Sequence, residues 1–476
     1  MRREVLDSAA RQRMFLSPDA LELILCNNSP IDFAATVLSS LSKNAVFVTA
    51  DDVRNFLTGE STVMESPKPV VPRNKRQLDI SVIPETDITG ESTCEGVIDD
   101  FAKYFKYRYF TLRKLLRERR DFAWAGLGIK DALNLDREIK VVGIVSEISL
   151  TKNGHRIMTI EDDTASCKLL IMKDSPMINE IIVSDEVVGI VGKPSNKKDM
   201  IIASELFRPE VPVENWKRSD SVGSIAFLSD VHVGSKTFMK KNWDRMVRWM
   251  RQNAYDNDID YLVFPGDVVD GIGIFPGQIE ELDVLDIFEQ YELFAEYLKD
   301  LPDHVKMVVH PGNHDAVRPA EPQPALASLY TKTFDSNVMM VGNPVSLNVE
   351  GRTVLTYHGR SIDDWVSGVQ QLSYDDPVRI MQEMLSRRHL APIYGQKTAL
   401  APEKRDYMII ERVPDIFVTG HVHGAGYVEY RGTKMINASA WQDQTEYQKS
   451  HNFNPKPAVM PIVHLGTGRT SMQDFN

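Results

Sequence analysis

Three cysteines in 476 residues, Cys26, Cys94 and Cys167, are too few and too widely spaced for a disulfide framework or a cysteine-rich zinc module. A reducing setting is expected. No segment has the uninterrupted apolar run that a membrane-spanning helix needs, and the start, Met1-Arg2-Arg3-Glu4-Val5, has no long apolar stretch behind its charges. The expectation is a cytoplasmic protein without a membrane partner. An excess of positive charge is missing too: the formal net charge of −12 argues against a protein that coats nucleic acid with its whole surface, but leaves room for a local basic patch. Internal repeats and coiled-coil heptads are absent. What is present, 42% hydrophobic and 26% charged residues, is a globular composition long enough for two or three packed domains.

Residues 1–57 are patterned as a helical module, with Ser17-Pro18-Asp19 and Ser29-Pro30-Ile31-Asp32 each setting a capping hydroxyl before a proline at the first helical position. Residues 58–92 turn to Pro, Ser, Thr, Glu and Lys, a composition that cannot bury a core, and read as a flexible linker. In the helical segment 93–137, Tyr104, Phe105, Tyr107, Tyr109 and Phe110 interleave with Lys103, Lys106, Arg108, Arg113 and Arg117. Such interleaving suits single-stranded nucleic acid. Aromatics at helical spacing are more often core, however, so a helix docked on its own fold is the favoured reading. Between 138 and 212, five short strand-like runs fit an OB-type β-barrel, with direct nucleic-acid contact left open. From 221 to 476 strands alternate with helices, and Trp243, Met246, Val247 and Met250 follow i, i+3, i+4, i+7. The expected fold class is multidomain α/β: an N-terminal helical module, an OB-type β-barrel and a layered α/β domain.

Within the last domain five segments follow one another: Asp230-Val231-His232, Gly266-Asp267, Gly312-Asn313-His314-Asp315, His358-Gly359 and Gly420-His421-Val422-His423. Each comes after a run rich in β-branched and apolar residues, such as 225–228 or 261–264, and so falls just past a strand end, where an α/β fold builds its chemistry. In an extended segment Asp230 and His232 point the same way and can grip one ion, and His421 and His423 share a face from which they reach neighbouring ions. Asp267 has two carboxylate oxygens and is the natural bridge between two cations. Asn313 adds a neutral oxygen and His358 a nitrogen. A mixed histidine and carboxylate set suits manganese, iron or zinc better than calcium; two divalent ions are expected, Mn2+ first, with Fe, Zn and Mg as alternatives. Two ions roughly 3.5–4 Å apart can activate a water and stabilise phosphoryl oxygens during in-line displacement, which is phosphate ester hydrolysis. His314 would serve as general acid or positive donor, and Asp315 would orient it.

Taken singly these segments are weak, since Asp-x-His and His-x-His are common and Gly-Asp is nearly uninformative. Their order carries the reading, with Gly312-Asn313-His314-Asp315 the most specific. His310 precedes that turn and is read as structural; His155, His304, His389, His451 and His464 match no segment and are read as surface or packing residues.

The five segments resemble the calcineurin-like metallophosphoesterase superfamily. An OB-type barrel directly before such a domain, together with Phe227-Leu228-Ser229-Asp230-Val231-His232-Val233-Gly234-Ser235, His310-Pro311-Gly312-Asn313-His314-Asp315 and Leu400-Ala401-Pro402-Glu403-Lys404, is similar to the small subunits of archaeal family-D DNA polymerases. The related B subunits of eukaryotic replicative polymerases keep the architecture without the metal ligands; here every ligand position is filled. The resemblance runs from about residue 138 to the C-terminus, and the first hundred residues match only loosely. It implies a 3′–5′ exonuclease subunit that proofreads DNA 3′ ends for a separate large catalytic subunit. It also implies one ion on Asp230, His232, Asp267 and His423, a second on Asp267, Asn313, His358 and His421, and His314 as the catalytic histidine. Residues 361–414 are long for a simple connection and read either as an insertion that shapes the cleft or meets the large subunit, the favoured reading, or as a peripheral helical decoration. Two readings stay open beside this one, because site geometry alone does not choose a substrate: a phosphatase or cyclic-nucleotide phosphodiesterase of the same superfamily, and a non-catalytic polymerase scaffold.

Overall fold

A computed structural model describes residues 2–11, 15–27, 29–40, 47–48, 53, 56, 78–219, 223–450 and 453–476. His451 and residues 58–77 of the expected linker lie outside them. The chain divides into two units, Met1–Gln77 and Leu78–Asn476. In the first, helices α1 (Arg2–Arg11), α2 (Pro18–Leu25) and α3 (Pro30–Ser40) bury Val5, Ala9, Ala20, Ile24, Val37 and Leu38, and the short strands β1 (Phe15–Leu16) and β2 (Phe47–Val48) pair in parallel. The Ser17 hydroxyl accepts the Ala20 N–H at 3.2 Å, starting α2 where the capping pattern places it.

Residues 78–92 depart from the flexible-linker expectation. β3 (Ile80–Val82) adds antiparallel to β13 (Val345–Val349), while Thr86 and Asp87 accept the backbone N–H groups of Ser346 and Gly342. The reason is that a strand can join a sheet edge through its backbone while its polar side chains satisfy loop amides, and composition reports neither. Just beyond, the buried Glu403 carboxylate accepts from Ser92 Oγ at 2.6 Å and the Thr93 N–H at 2.9 Å, and pairs with Arg318 at 2.9 Å. Replacing this anchor in Glu403→Ala is expected to free residues 92–97. Limited proteolysis should then give a new cleavage there that the wild type resists.

Helix α4 (Ile98–Glu118) turns Tyr104, Arg108, Tyr109, Leu112 and Leu116 inward, so three of the interleaved aromatic and basic residues, Tyr104, Arg108 and Tyr109, are packing. Tyr109, Leu112 and Leu116 lie against Val142, Ile144, Val187 and Val191 of a closed five-stranded barrel. Its strands are β4 (Ile139–Leu150), β5 (Arg156–Glu161), β6 (Ser166–Ile171), β7 (Val187–Pro194) and β8 (Met200–Phe207), arranged β4-β5-β6-β8-β7 with β6 and β8 parallel, and the short helix α5 (Ile129–Ala132) adds Ile129 and Ala132 to its core.

The C-terminal domain is two six-stranded sheets face to face. One runs β12 (Val338–Met340), β11 (Lys306–His310), β10 (Ile259–Pro265), β9 (Ser224–Phe227), β18 (Val459–His464), β19 (Thr470–Asp474). The other runs β16 (Ala425–Tyr430), β17 (Thr433–Ala438), β15 (Ile416–Thr419), β14 (Arg352–Tyr357), β13 and β3, so the domain expected at 221–476 also recruits residues 80–82. Ile225, Phe227, Val263 and Val308 of the first sheet meet Leu347, Val354, Ile416 and Val418 of the second. Outside the first sheet, α6 (Lys240–Asn253) and α7 (Ile287–Lys299) bury the predicted Trp243, Met246, Val247 and Met250 together with Tyr291, Phe294 and Leu298. Outside the second, α8 (Ile362–Gly368) and α9 (Pro377–Arg387) bury Trp365, Ile380, Met381, Met384 and Leu385 against Phe417 and Met435. The 361–414 connection is therefore the outer layer of the sandwich. Each such fully buried apolar side chain contributes roughly 1.5–3 kcal/mol.

Candidate metal centre

Strands β9, β10 and β11 are mutually parallel, as are β14 and β15, and the five sequence segments leave their carboxyl ends at one end of the sandwich. Five ligand candidates there have left-handed backbones: Asp230 (φ 52°), His232 (φ 52°), Asp267 (φ 51°), His421 (φ 69°) and His423 (φ 50°). The extended Asp-x-His geometry inferred from sequence is thus replaced by alternate left-handed residues in two tight loops. These loops are held by the sandwich: Asp230 N–H donates to the Gly266 carbonyl and His232 N–H to the Asp267 carbonyl, each at 3.1 Å. A non-glycine residue in this region costs roughly 1–3 kcal/mol, and such strain clusters where function needs it.

Two clusters result. His423 Nε2 lies 3.4 Å from Asp230 Oδ1 and 3.2 Å from His232 Nε2. In the second, His358 Nε2 lies 3.2 Å from Asp267 Oδ2 and 3.1 Å from Asn313 Oδ1, and His421 completes the group with Asp267 and His358. Asp267 Oδ2 also lies 3.9 Å from His232 Nε2, so one carboxylate stands between the clusters. All seven sequence-predicted ligands are brought together, and His421 and His423 serve different clusters. Buried Asp230 Oδ1 has no hydrogen-bond partner, a costly state for a carboxylate oxygen and the condition expected of a cation ligand. The donors are nitrogen and oxygen only, and the residues fit two divalent ions of the manganese, iron or zinc kind.

The electrostatics of Asp267, His232 and His421 agree, while burial of His358 is outweighed by the neighbouring Asp267 and Asp230 carboxylates, which push its imidazole up to about 10 until cations take the place of its proton. Burial disfavours ionised Asp267, but the charges of His358 and His314 outweigh it and hold its carboxyl well below the usual range. Burial holds His232 and His421 below the ordinary imidazole value, in the neutral form that ligates through nitrogen. Each has a carboxylate partner that sequence reasoning missed. Asp270 Oδ1 meets His232 Nδ1 at 2.9 Å, and Asp363 Oδ1 lies 3.3 Å from His421 Nε2. Asp270 had a legible signal, three residues after Asp267. Asp363, in the 361–414 connection, had none.

The expected catalytic pair is only partly assembled. His314 Nδ1 donates to the Asp270 carbonyl at 2.8 Å, and the His314 ring stands edge-on to His232 with centroids 4.7 Å apart. Asp315 does not orient it. That carboxylate instead accepts from Tyr291 Oη at 3.0 Å and the Gly312 N–H at 2.8 Å, because the turn points it back into the sandwich. His310 bridges the sheets through Thr356 Oγ1 at 2.7 Å, the structural role read from its position. Among the unmatched histidines, His389 is buried and pairs with Asp406. Gly312 is required by space: a Cβ there would stand 2.2 Å from Asp267 Oδ1. Gly312→Ala is expected to abolish two-ion binding in a manganese titration followed calorimetrically, with the far-UV circular dichroism unchanged.

Residues 223–425 match the calcineurin-like phosphoesterase family model, and every ligand candidate falls inside them. A DNA polymerase II small subunit from Archaeoglobus fulgidus is 37% identical over 482 residues, covering 97% of each chain. The chain belongs to the DNA polymerase II small subunit family. Members from Thermoplasma acidophilum (43% identical, covering 80% of this chain and 78% of the relative) and Methanocaldococcus jannaschii (41%, covering 81% and 67%) are similar through most of their length. The family-D polymerase resemblance drawn from the motifs therefore holds, and this small subunit carries a metallophosphoesterase domain. No helix among the described residues is long and apolar enough to cross a membrane.

Proposed function

We propose that the chain is the 3′–5′ exonuclease subunit of a family-D DNA polymerase, hydrolysing DNA phosphodiesters at 3′ ends for proofreading and serving as a scaffold for the large catalytic subunit. The observation that carries this reading is the meeting of all seven donors at one end of the sandwich, five of them on strained left-handed backbone. A chain that only scaffolds has no use for that strain. Asp230, His232, Asp267 and His423 would hold one ion, and Asp267, Asn313, His358 and His421 the other, with Mn2+ first by donor chemistry. When bound, the two ions supply an activated water and neutralise phosphoryl charge. Asp270 orients His232, and Asp363 orients His421. With Nδ1 engaged by the Asp270 carbonyl, His314 presents its Nε2 to the developing charge or the leaving oxygen. Asp315 acts one step back, by shaping the turn that carries Asn313 and His314. The closed five-stranded barrel, with its third and fifth strands parallel, supports the OB-type reading and with it a nucleic-acid setting.

The test is a 5′-labelled oligonucleotide with a 3′ mismatch, incubated with manganese. The reading expects stepwise shortening from the 3′ end, its loss in Asn313→Ala, and copurification of both proteins with a much larger chain. Faster turnover of a small phosphomonoester than of DNA would favour the phosphatase reading instead.

A further inference from the structure

The loop after Asp270 reads Gly271-Ile272-Gly273-Ile274-Phe275-Pro276-Gly277-Gln278-Ile279, an apolar sequence on the surface beside a polar cleft. Ile272, Ile274 and Ile279 are 43%, 38% and 64% exposed, and Phe275 is half-buried. Exposed isoleucines in a row at a site that handles phosphate are useless to the phosphate itself and ask for an apolar occupant. The loop is also fixed to the chemistry. Buried Gln278 accepts the Ile274 N–H at 2.9 Å and donates to the Asp270 carbonyl at 2.8 Å and its Oδ2 at 3.0 Å. Asp270 in turn holds His232 through Oδ1 and His314 through its carbonyl. The Phe275 ring lies edge-on to His314, with centroids 6.5 Å apart. Gly271 lets the loop come this close, for a Cβ there would meet the His314 carbonyl oxygen at 2.2 Å.

Resting on the exonuclease reading, we infer that Phe275, in a loop that also exposes Ile272 and Ile274, is the platform for the base of the 3′-terminal nucleotide being removed. That base is carried one sugar away from the phosphorus under attack, and it is the flat apolar group of the substrate nearest to the chemistry at which His314 stands. An aromatic face receives any of the four bases and reads none, as removal of arbitrary mismatches requires. A paired end keeps its terminal base stacked in the duplex, so a platform reached only by a released base favours frayed or mismatched ends.

The experiment compares kcat/KM for a single-stranded oligonucleotide ending in an ordinary nucleotide with one ending in an abasic sugar, in the full chain with manganese. The wild type should prefer the ordinary end by about 10-fold, the scale of one base–aromatic stack. The ratio should fall toward one in Phe275→Ala, through KM more than kcat, and be restored in Phe275→Tyr. A wild type that degrades DNA but shows no such preference, or a preference that survives Phe275→Ala, overturns this inference and leaves the exonuclease reading standing. A wild type inactive on every DNA end overturns both. An unmoved ratio accompanied by weaker copurification with a larger chain would assign the loop to a protein partner and likewise overturns the inference.

Discussion

Asp267→Asn is expected to lower metal-dependent phosphodiester hydrolysis by about 1000-fold or more while leaving the fold intact. Its Oδ2 is the atom shared by the two donor clusters, 3.2 Å from His358 Nε2 and 3.9 Å from His232 Nε2. An amide offers one weaker oxygen in place of a bridging anion, and several kcal/mol of transition-state stabilisation depends on the ions it anchors. Calorimetric titration with manganese should show two sites in the wild type and fewer in the variant. The fold should hold because the asparagine oxygen can still accept the His314 N–H, a 2.8 Å bond in the wild type. Equal unfolding midpoints in chelator, with activity lost, would place the residue in the chemistry and not in the scaffold.

Asp406→Ala is expected to be the most destabilising change of those considered, by about 3–5 kcal/mol, lowering the unfolding midpoint by about 5 °C or more. Arg108 and Asp406 are both fully buried, with Nε and Oδ2 2.8 Å apart; Tyr104 Oη donates to Asp406 Oδ1 at 2.7 Å, and Arg108 also donates to the Pro392 carbonyl. Removing the carboxylate strands a guanidinium in the core between α4 and the C-terminal domain. His389 belongs to the same group: its Nδ1 accepts the Ala391 N–H, so Nε2–H of the neutral ring donates to Asp406 at 2.8 Å.

The cluster also sets a pH dependence. Burial works against ionised Asp406, but His389 and Arg108 outweigh it and hold its carboxyl far below the ordinary range. A depressed carboxylate contributes stability that is fully present above its unfolded value, about 3.9, and is lost as pH falls toward the folded one. Burial, helped by Arg108, lowers His389 to about 4. Unfolding then takes up a proton below about 6.5, and stability falls over the window from there to about 4. Both groups act in the same direction. The wild-type midpoint is expected to drop between pH 7 and pH 4, and the slope attributable to His389 should vanish in His389→Gln, followed by thermal melts across that range.

The layered domain and the seven candidate ligands that meet at its end are legible because they sit at strand ends and strand ends announce themselves by composition. Helix α6 was legible from its four apolar positions. What escaped notice depends on contacts distant in sequence. β3 is a strand only because β13 offers an edge, and Glu403 captures residues 92–94 from more than three hundred positions away. Arg108 fits either reading of its helix, nucleic-acid contact or the favoured docking on its own fold, until Asp406 is seen beside it. Asp230-Val231-His232 reads as extended from sequence, since periodicity does not reveal the left-handed backbone of Asp230 and His232. Asp315 was paired with His314 by adjacency, whereas the turn separates neighbours and brings Asp270 to the histidine instead.

The central claim, that these five loops form a two-ion centre for hydrolysing DNA 3′ ends, is tested most directly by one comparison. Purified wild type and His314→Ala are assayed with manganese on an end-labelled strand carrying a 3′ mismatch. The account predicts nucleotide release by the wild type that chelator abolishes, and a loss of about 100-fold or more in His314→Ala with an unchanged unfolding midpoint. Release at wild-type rate by His314→Ala, or none from the wild type with manganese present, would contradict it.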